Sequence, residues 1–136
     1  MNMIQPRTAL YALAYGALIW FEATLTIRFL GDWIFVPQNM QYTAGVFALT
    51  PFIVYAVGWC FFYMFRTPRE ERAAAAILIC AIGLVGDAAV LGWSTTVFPD
   101  LDTEQQRLFA SWVAWAYGTG LLSGLWPSRM PGVPAV

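Results

Sequence analysis

The sequence predicts an all-α protein, a bundle of four transmembrane helices with both termini in the cytoplasm. Three observations support this prediction: four long apolar runs, a composition that is 60% hydrophobic and 11% charged, and an uneven distribution of arginine. A soluble domain carries about 25% charged residues. About 20 helical residues cross a 30 Å hydrocarbon core, and backbone groups in lipid must be satisfied within the helix itself.

The first two predicted spans cover residues 8–30 and 43–65. We expect Gly31–Asp32 to end the first of them, since glycine favours helix termination. Pro51 lies one-third of the way along the second span and is expected to kink it, because proline lacks a backbone N–H. The hydroxyl of Thr50 is expected to hydrogen-bond a carbonyl that this proline leaves free.

The third predicted span covers residues 73–95, and a polar first turn precedes it. Thr67 is a candidate N-cap, with Pro68 as the first helical residue and Glu70 as the acid of a capping box. These residue types at this spacing are typical of a helix N-terminus. The third helix is therefore expected to begin directly after Thr67.

The fourth predicted span covers residues 105–126, and Asp102 or Thr103 is expected to cap its start. Residues 127–136 form a proline-rich segment that is predicted to be a mobile tail. Because the length allows one domain at most, residues 1–136 are predicted to form a single membrane domain.

The arginines predict the orientation of the bundle. Four crossings place both termini and the middle loop on one side, which carries Arg7, Arg66, Arg69, Arg72 and Arg129. The opposite side clearly holds only Arg107. Because cytoplasmic loops are enriched in arginine and lysine, the arginine-rich side is predicted to be cytoplasmic. The expected location is the cytoplasmic (inner) membrane of a bacterium, crossed several times.

Two carboxylates interrupt the apolar runs and mark the candidate site. Glu22 lies about 14 residues into the first span and Asp87 about 15 residues into the third, so both lie roughly 21–22 Å from the cytoplasmic edge. An ionisable group inside hydrocarbon costs at least about 2.5–3.5 kcal/mol, which makes a functional role the default hypothesis. Two carboxyls close together in low dielectric cannot both ionise readily, so we expect at least one to be protonated.

Three further residues complete the predicted pocket: Arg28, Tyr55 and Tyr117. The tyrosines lie at comparable depth in the second and fourth spans. Arg28 lies four residues before Asp32, and it can pair with that residue, extend outward to the interface or bend back towards Asp87. Alternatively, the two carboxyls have a purely structural role and form hydrogen bonds that hold neighbouring helices together.

The composition narrows the possible cofactors and partners. The chain has no histidine and no lysine, and its net charge is −1. The absence of histidine removes the commonest metal ligand, and no basic tract suggests nucleic acid, so we expect no metal, no cofactor and no nucleic-acid partner. Membrane lipid is the expected surrounding. Ala116, Gly120 and Gly124 recur every fourth residue and permit close helix packing, either within the bundle or in a homodimer or larger membrane complex.

Several short motifs carry a resemblance to a known family. They are Arg28-Phe29-Leu30-Gly31, Phe35-Val36-Pro37, the turn at 66–72, Gly86-Asp87, Val97-Phe98-Pro99-Asp100-Leu101 and Ala114-Trp115-Ala116-Tyr117-Gly118. Together they resemble an uncharacterised family of small bacterial four-helix membrane proteins, a domain of unknown function, over roughly residues 15–125. The resemblance implies that Arg28, Asp87, Pro99 and Tyr117 belong to the family's recurring pattern, and it brings no activity.

A second similarity concerns the site alone. Small multidrug-resistance exporters also have four helices and a carboxylate midway along the first, as Glu22 is here. The aromatic signature of their third helix is not recognisable in this chain, and Asp87 is an additional acid. The similarity is therefore an analogy between sites.

Three functions follow from these observations. The first is binding or transport of a lipophilic or cationic small molecule, coupled to protons through Glu22 and Asp87. The second is an intramembrane isomerase or cyclase that uses the same carboxyls as acid and base on a lipid-like substrate, and this requires a roomy apolar cavity beside Asp87. The third is an accessory subunit of a membrane complex. The sequence assigns no catalytic residue and leaves open whether the protein is an enzyme.

Overall fold

The computed structural model describes residues 4–125, and the prediction of an all-α fold is confirmed for them. The helices are α1 (Pro6–Ile34), α2 (Met40–Met64), α3 (Arg69–Gly92), the short α4 (Ser94–Val97) and α5 (Thr103–Ser123). By length and apolar composition, α1, α2 and α3 can each cross a membrane. The 21-residue α5 is less hydrophobic, with polar residues in its first turns and several small residues along its length. The predicted tail, 127–136, lies outside the described residues.

Two of the predicted helix ends are wrong. Gly31 does not end α1, because it remains helical and packs closely on the side chain of Leu101. Thr67 does not cap α3; Pro68 occupies the N-cap position without a side-chain hydrogen bond, and the buried Thr67 hydroxyl has no partner. At the start of α5, by contrast, the prediction holds, since Asp102 forms a capping box with Gln105.

The end of α2 is a Schellman motif with arginine in the position that glycine usually occupies. The Thr67 N–H donates to the Phe62 carbonyl at 3.0 Å and the Arg66 N–H to the Tyr63 carbonyl at 3.3 Å. Arg66 adopts a φ of 48°, in the left-handed region. A side chain with a Cβ is strained there by about 1–2 kcal/mol.

Arg66→Gly is therefore expected to raise the free energy of unfolding by about 1 kcal/mol, because glycine adopts this conformation without strain. Chemical unfolding in detergent micelles measures the change. Arg66→Ala is the matched control, since it removes the same charge but keeps the Cβ. Equal stability of the two variants would contradict the explanation from backbone strain.

The helices pack around a gap between α1 and α2. α3 packs extensively on α1 and also on α5, α2 packs on α5, and α1 and α2 meet only sparsely. The small residues of α5 permit these contacts. Gly120 lies against Cys80 and Val54, and Gly124 lies against the start of α3, so these two positions of the predicted stripe pack within the bundle.

Two separate clusters of buried side chains close the ends of the bundle. One lies at the end with the α1–α2 turn and contains Phe35, Phe98 and Phe109 among its members. The other lies at the opposite end, where Ala12 of α1 meets Phe61 of α2 and the start of α3. The middle of the bundle, between these clusters, is where the cavity described below lies.

Candidate functional site

Asp87 lies at the point where three helices meet. Its side chain is 7% exposed, and each carboxylate oxygen accepts one hydrogen bond from a different helix. The indole Nε1 of Trp20 in α1 donates to Oδ1 at 3.0 Å, and the hydroxyl of Tyr117 in α5 donates to Oδ2 at 2.8 Å. Hydrogen bonds are stronger in low dielectric than in water, so these two contacts fix the position of the Asp87 carboxyl group.

Two glycines in α3 make room for the two donors. A Cβ at Gly86 would collide with the Trp20 indole, and a Cβ at Gly83 would collide with the Tyr117 ring and hydroxyl. Gly83 and Gly86 precede Asp87 by four residues and one residue, so α3 leaves space for one aromatic ring at each of two positions next to the carboxyl group. The sequence of α3 therefore admits two large aromatic side chains at hydrogen-bonding distance from Asp87.

A cavity of about 420 Å³ adjoins this cluster. α1, α2, α3 and α5 all contribute to its wall, which is mostly aliphatic and aromatic. Small-molecule sites in proteins have volumes of about 300–1,000 Å³ and combine an apolar wall with a few placed polar groups. The cavity has these properties, with Asp87 and Tyr117 as polar groups in its wall.

The mouth of the cavity lies between α1 and α2. Three lining residues are themselves exposed at the surface of the protein, namely Glu22 of α1 and Leu49 and Ile53 of α2. The lining residues that α3 and α5 contribute are buried or only partly exposed. Since α1 and α2 also make few contacts with each other, the cavity opens sideways through the gap between them, about halfway along the bundle.

Glu22 lines the same cavity as Asp87 but occupies a different position. It lies at the mouth, where its Oε1 accepts a hydrogen bond from Thr26 at 3.1 Å. No hydrogen bond joins it to Asp87 within the described part of the chain. The two carboxylates thus belong to one cavity, with Asp87 in the wall and Glu22 at the entrance.

Two residues of the predicted pocket, Arg28 and Tyr55, do not line this cavity. Arg28 instead donates to the carbonyl of Val97, the last residue of α4, at 2.6 Å, and it pairs with neither Asp32 nor Asp87. Six residues separate it from Glu22, which turns it to another face of α1. Tyr55 likewise lies off the face of α2 that lines the cavity.

Trp20 is the residue that the sequence reasoning missed. It lies two residues before Glu22, and aromatic side chains are common in membrane spans for reasons of packing alone. The available signal was in α3, where Gly83 and Gly86 precede Asp87 and leave space for large side chains. No group of three or more potential metal ligands of the His, Cys, Asp or Glu type occurs among residues 4–125.

Comparison with known proteins identifies a family. No curated protein and no solved structure matches the chain. A model of a family of unknown function matches residues 34–130, which include Asp87 and Tyr117. The match begins at the end of α1, so Trp20, Glu22 and Arg28 lie before it, whereas the sequence resemblance was expected to start near residue 15. Because the match covers more than half of the chain, the protein belongs to the family of unknown function DUF5367.

Proposed function

We propose that the protein binds a lipophilic small molecule in the central cavity and admits it from the bilayer through the gap between α1 and α2. The observation that carries this proposal is the position of the exposed lining residues, which occur on these two helices alone within residues 4–125. In a membrane this mouth faces lipid. A molecule dissolved in the bilayer can then enter without crossing the aqueous phase.

The proposal places α5 across the membrane as a fourth span, with both termini in the cytoplasm. α5 has 21 residues, which corresponds to about 32 Å, and it packs on both α2 and α3. Large exposed side chains such as Phe29, Phe52 and Val85 give the bundle an apolar surface suited to lipid. The arginine distribution supplies the orientation, and a bacterial inner membrane is the proposed location.

Cys80 provides a direct test, because it lies in the cavity wall and Cys60 is the only other cysteine. A Cys60→Ala protein in phospholipid nanodiscs is treated with pyrenyl maleimide, which is lipophilic, or with a sulfonated maleimide, which stays in water. We expect the lipophilic reagent to label Cys80 and the sulfonated reagent to leave it unlabelled. Mass spectrometry measures both rates.

Closing the mouth is expected to slow this labelling. Ile53→Trp places a large ring at the entrance, and we expect the rate of Cys80 labelling to fall about tenfold, equivalent to about 1.4 kcal/mol in activation free energy. Phe52→Trp is the matched control, since Phe52 is exposed, adjacent in sequence and absent from the cavity wall. Equal rates in the two variants would overturn lateral entry.

The cavity beside Asp87 also meets the requirement of an isomerase or cyclase, which is the second candidate. Binding is favoured because the geometry lacks a paired acid and base: both Asp87 oxygens already accept hydrogen bonds, and Glu22 lies apart at the mouth. Homodimer formation and assembly into a larger complex remain compatible with either function.

A further inference from the structure

The charges that face the cavity are all of one sign. Among the residues that form its wall, Glu22 and Asp87 are the charged ones, and no arginine is included. The chain has no lysine or histidine that could supply a cation. An anionic ligand would therefore meet only repulsion, whereas a cationic ligand would find a charge of opposite sign at the mouth and another inside.

Asp87 also lacks a cationic partner within the described part of the protein. Its two donors, the Trp20 indole and the Tyr117 hydroxyl, are neutral groups. They occupy both oxygens, but when Asp87 is ionised they leave its full negative charge uncompensated in an apolar wall. A buried carboxylate in this position either retains a proton or pairs with a cation, because an unpaired charge in low dielectric is costly.

The wall contains the aromatic rings that stabilise organic cations. Trp20 and Tyr117 adjoin Asp87, and Trp112, Phe109 and Phe62 line other parts of the cavity. The faces of Trp, Tyr and Phe rings attract ammonium groups, most strongly where water is excluded. The rest of the wall is aliphatic and suits an apolar body.

We propose that the ligand is a lipophilic cation, such as a hydrophobic quaternary ammonium or phosphonium ion, which pairs with Asp87 in exchange for a proton. This inference rests on the proposed function and specifies its ligand. Before the cation enters, Asp87 is the neutral carboxylic acid: Oδ1 accepts from the Trp20 indole, and the proton on Oδ2 is donated to the oxygen of Tyr117, which can accept as well as donate. The entering cation pairs with the carboxylate oxygens, the O–H bond breaks, and the proton leaves to water, so the charge of the cavity is conserved.

The groups around Asp87 make it the one that exchanges the proton. α1 contributes Glu22 at the mouth, α3 contributes Cys80 and α5 contributes Tyr117, while the cavity face of α2 carries no titratable side chain. Glu22 is the first carboxylate that the cation meets. Since Glu22 is exposed and Asp87 is buried, the larger change in binding is assigned to Asp87.

Two probe ions of the same shape and opposite charge test the inference: tetraphenylphosphonium and tetraphenylborate. Binding of each to the wild-type protein and to Asp87→Asn is measured by isothermal titration calorimetry in dodecyl maltoside. We expect the substitution to weaken tetraphenylphosphonium binding at least about tenfold and to leave tetraphenylborate binding no weaker. Each ion is compared only between the wild-type protein and Asp87→Asn, so its partition into the micelle is the same on both sides of the comparison.

The wild-type protein supplies a second measurement that does not depend on any variant. In weakly buffered solution, a pH indicator should report release of about one proton per cation bound. Affinity for the cation should rise with pH, by up to about tenfold per unit, because protons compete for the same carboxylate. Binding without proton release and without pH dependence would overturn the exchange.

Glu22→Gln separates the roles of the two carboxylates. We expect it to retain proton release and pH dependence. If both disappear in this variant and persist in Asp87→Asn, the assignment to Asp87 is wrong. The Cys80 experiment tests the proposed function separately from this inference. Suppose that Cys80 labelling depends on the mouth, but Asp87→Asn affects binding of both ions equally. Lateral entry of a lipophilic ligand is then supported, and selectivity for cations is rejected.

Discussion

An alanine at Gly86 is expected to lower the free energy of unfolding by about 2–4 kcal/mol. The added methyl group would overlap the Trp20 indole, and overpacking in a core costs about 1–3 kcal/mol. Movement of the ring would also break the hydrogen bond from Nε1 to the neutral Asp87 carboxyl group, which is worth about 0.5–1.5 kcal/mol. The sum is large because one atom disturbs both packing and the buried carboxylate.

Thermal and chemical unfolding in detergent micelles measure this cost. Gly118→Ala is the matched control, because a Cβ at this helical position meets nothing within 4 Å. It should be neutral or stabilise by up to about 1 kcal/mol, since alanine is the better helix former. If Gly86→Ala is as stable as Gly118→Ala, the close contact between α1 and α3 at Trp20 does not exist.

A double variant tests whether the effect passes through Trp20. Trp20→Phe removes the indole donor and the larger ring, so it also removes most of what the Gly86→Ala methyl group would meet. Adding Gly86→Ala to Trp20→Phe should then cost much less than adding it to the wild-type protein. Non-additivity of about 1–3 kcal/mol is expected for residues in direct contact.

The sequence predicted the helices well because membrane solvation constrains them strongly. Apolar runs of about 20 residues in lipid can satisfy their backbone only as helices, so the existence and order of α1, α2 and α3 followed from hydropathy, and α5 was predicted as a further helix from its less apolar run. Helix ends were less predictable, as Gly31 shows. Its place inside α1 depends on contact with Leu101, which lies 70 residues further along the chain and which no local pattern specifies.

The level of the candidate-site residues along their helices was predictable from the sequence. The direction in which each side chain faces was less predictable. Rise per residue placed Glu22, Asp87 and Tyr117 at one level, and the structure brings all three to one cavity. The side of each helix that faces inward depends on how the four helices are arranged, and only tertiary packing determines this. Arg28 and Tyr55 have suitable depth but face elsewhere, and Glu22 lies at the entrance instead of beside Asp87.

The sequence predicted that Pro51 would leave a backbone carbonyl of α2 without its donor, but it did not predict which side chain supplies the replacement. Proline leaves the carbonyl four residues earlier, that of Phe47, without its helical donor. The expected donor was Thr50, but its hydroxyl bonds the carbonyl of Val46 at 2.8 Å. The Phe47 carbonyl instead accepts a hydrogen bond from the indole Nε1 of Trp115 in α5, at 2.9 Å. A side chain of a neighbouring helix thus replaces the donor that α2 lacks.

Trp115→Phe is therefore expected to lower the free energy of unfolding by about 1–2 kcal/mol, because it leaves a carbonyl without a donor in a lipid-facing helix. Pro51→Ala supplies a backbone N–H to the same carbonyl, so Trp115→Phe should cost little in that background. Unfolding of the wild-type protein, the two single variants and the double variant in detergent measures the coupling between the two positions.

Trp112→Phe is the control for this cycle. Trp112 also donates its indole N–H to α2, but to the hydroxyl of Thr50 at 2.6 Å, an interaction that Pro51 does not create. Its cost should be the same in the wild-type protein and in the Pro51→Ala background. Pro51 lies between Leu49 and Ile53 at the mouth of the cavity, so Pro51→Ala should also change the rate of Cys80 labelling. Trp115→Phe should change this rate less in the Pro51→Ala background than in the wild-type protein. If Pro51 couples to Trp112 and not to Trp115, then Trp115 is not the residue that supplies the missing donor.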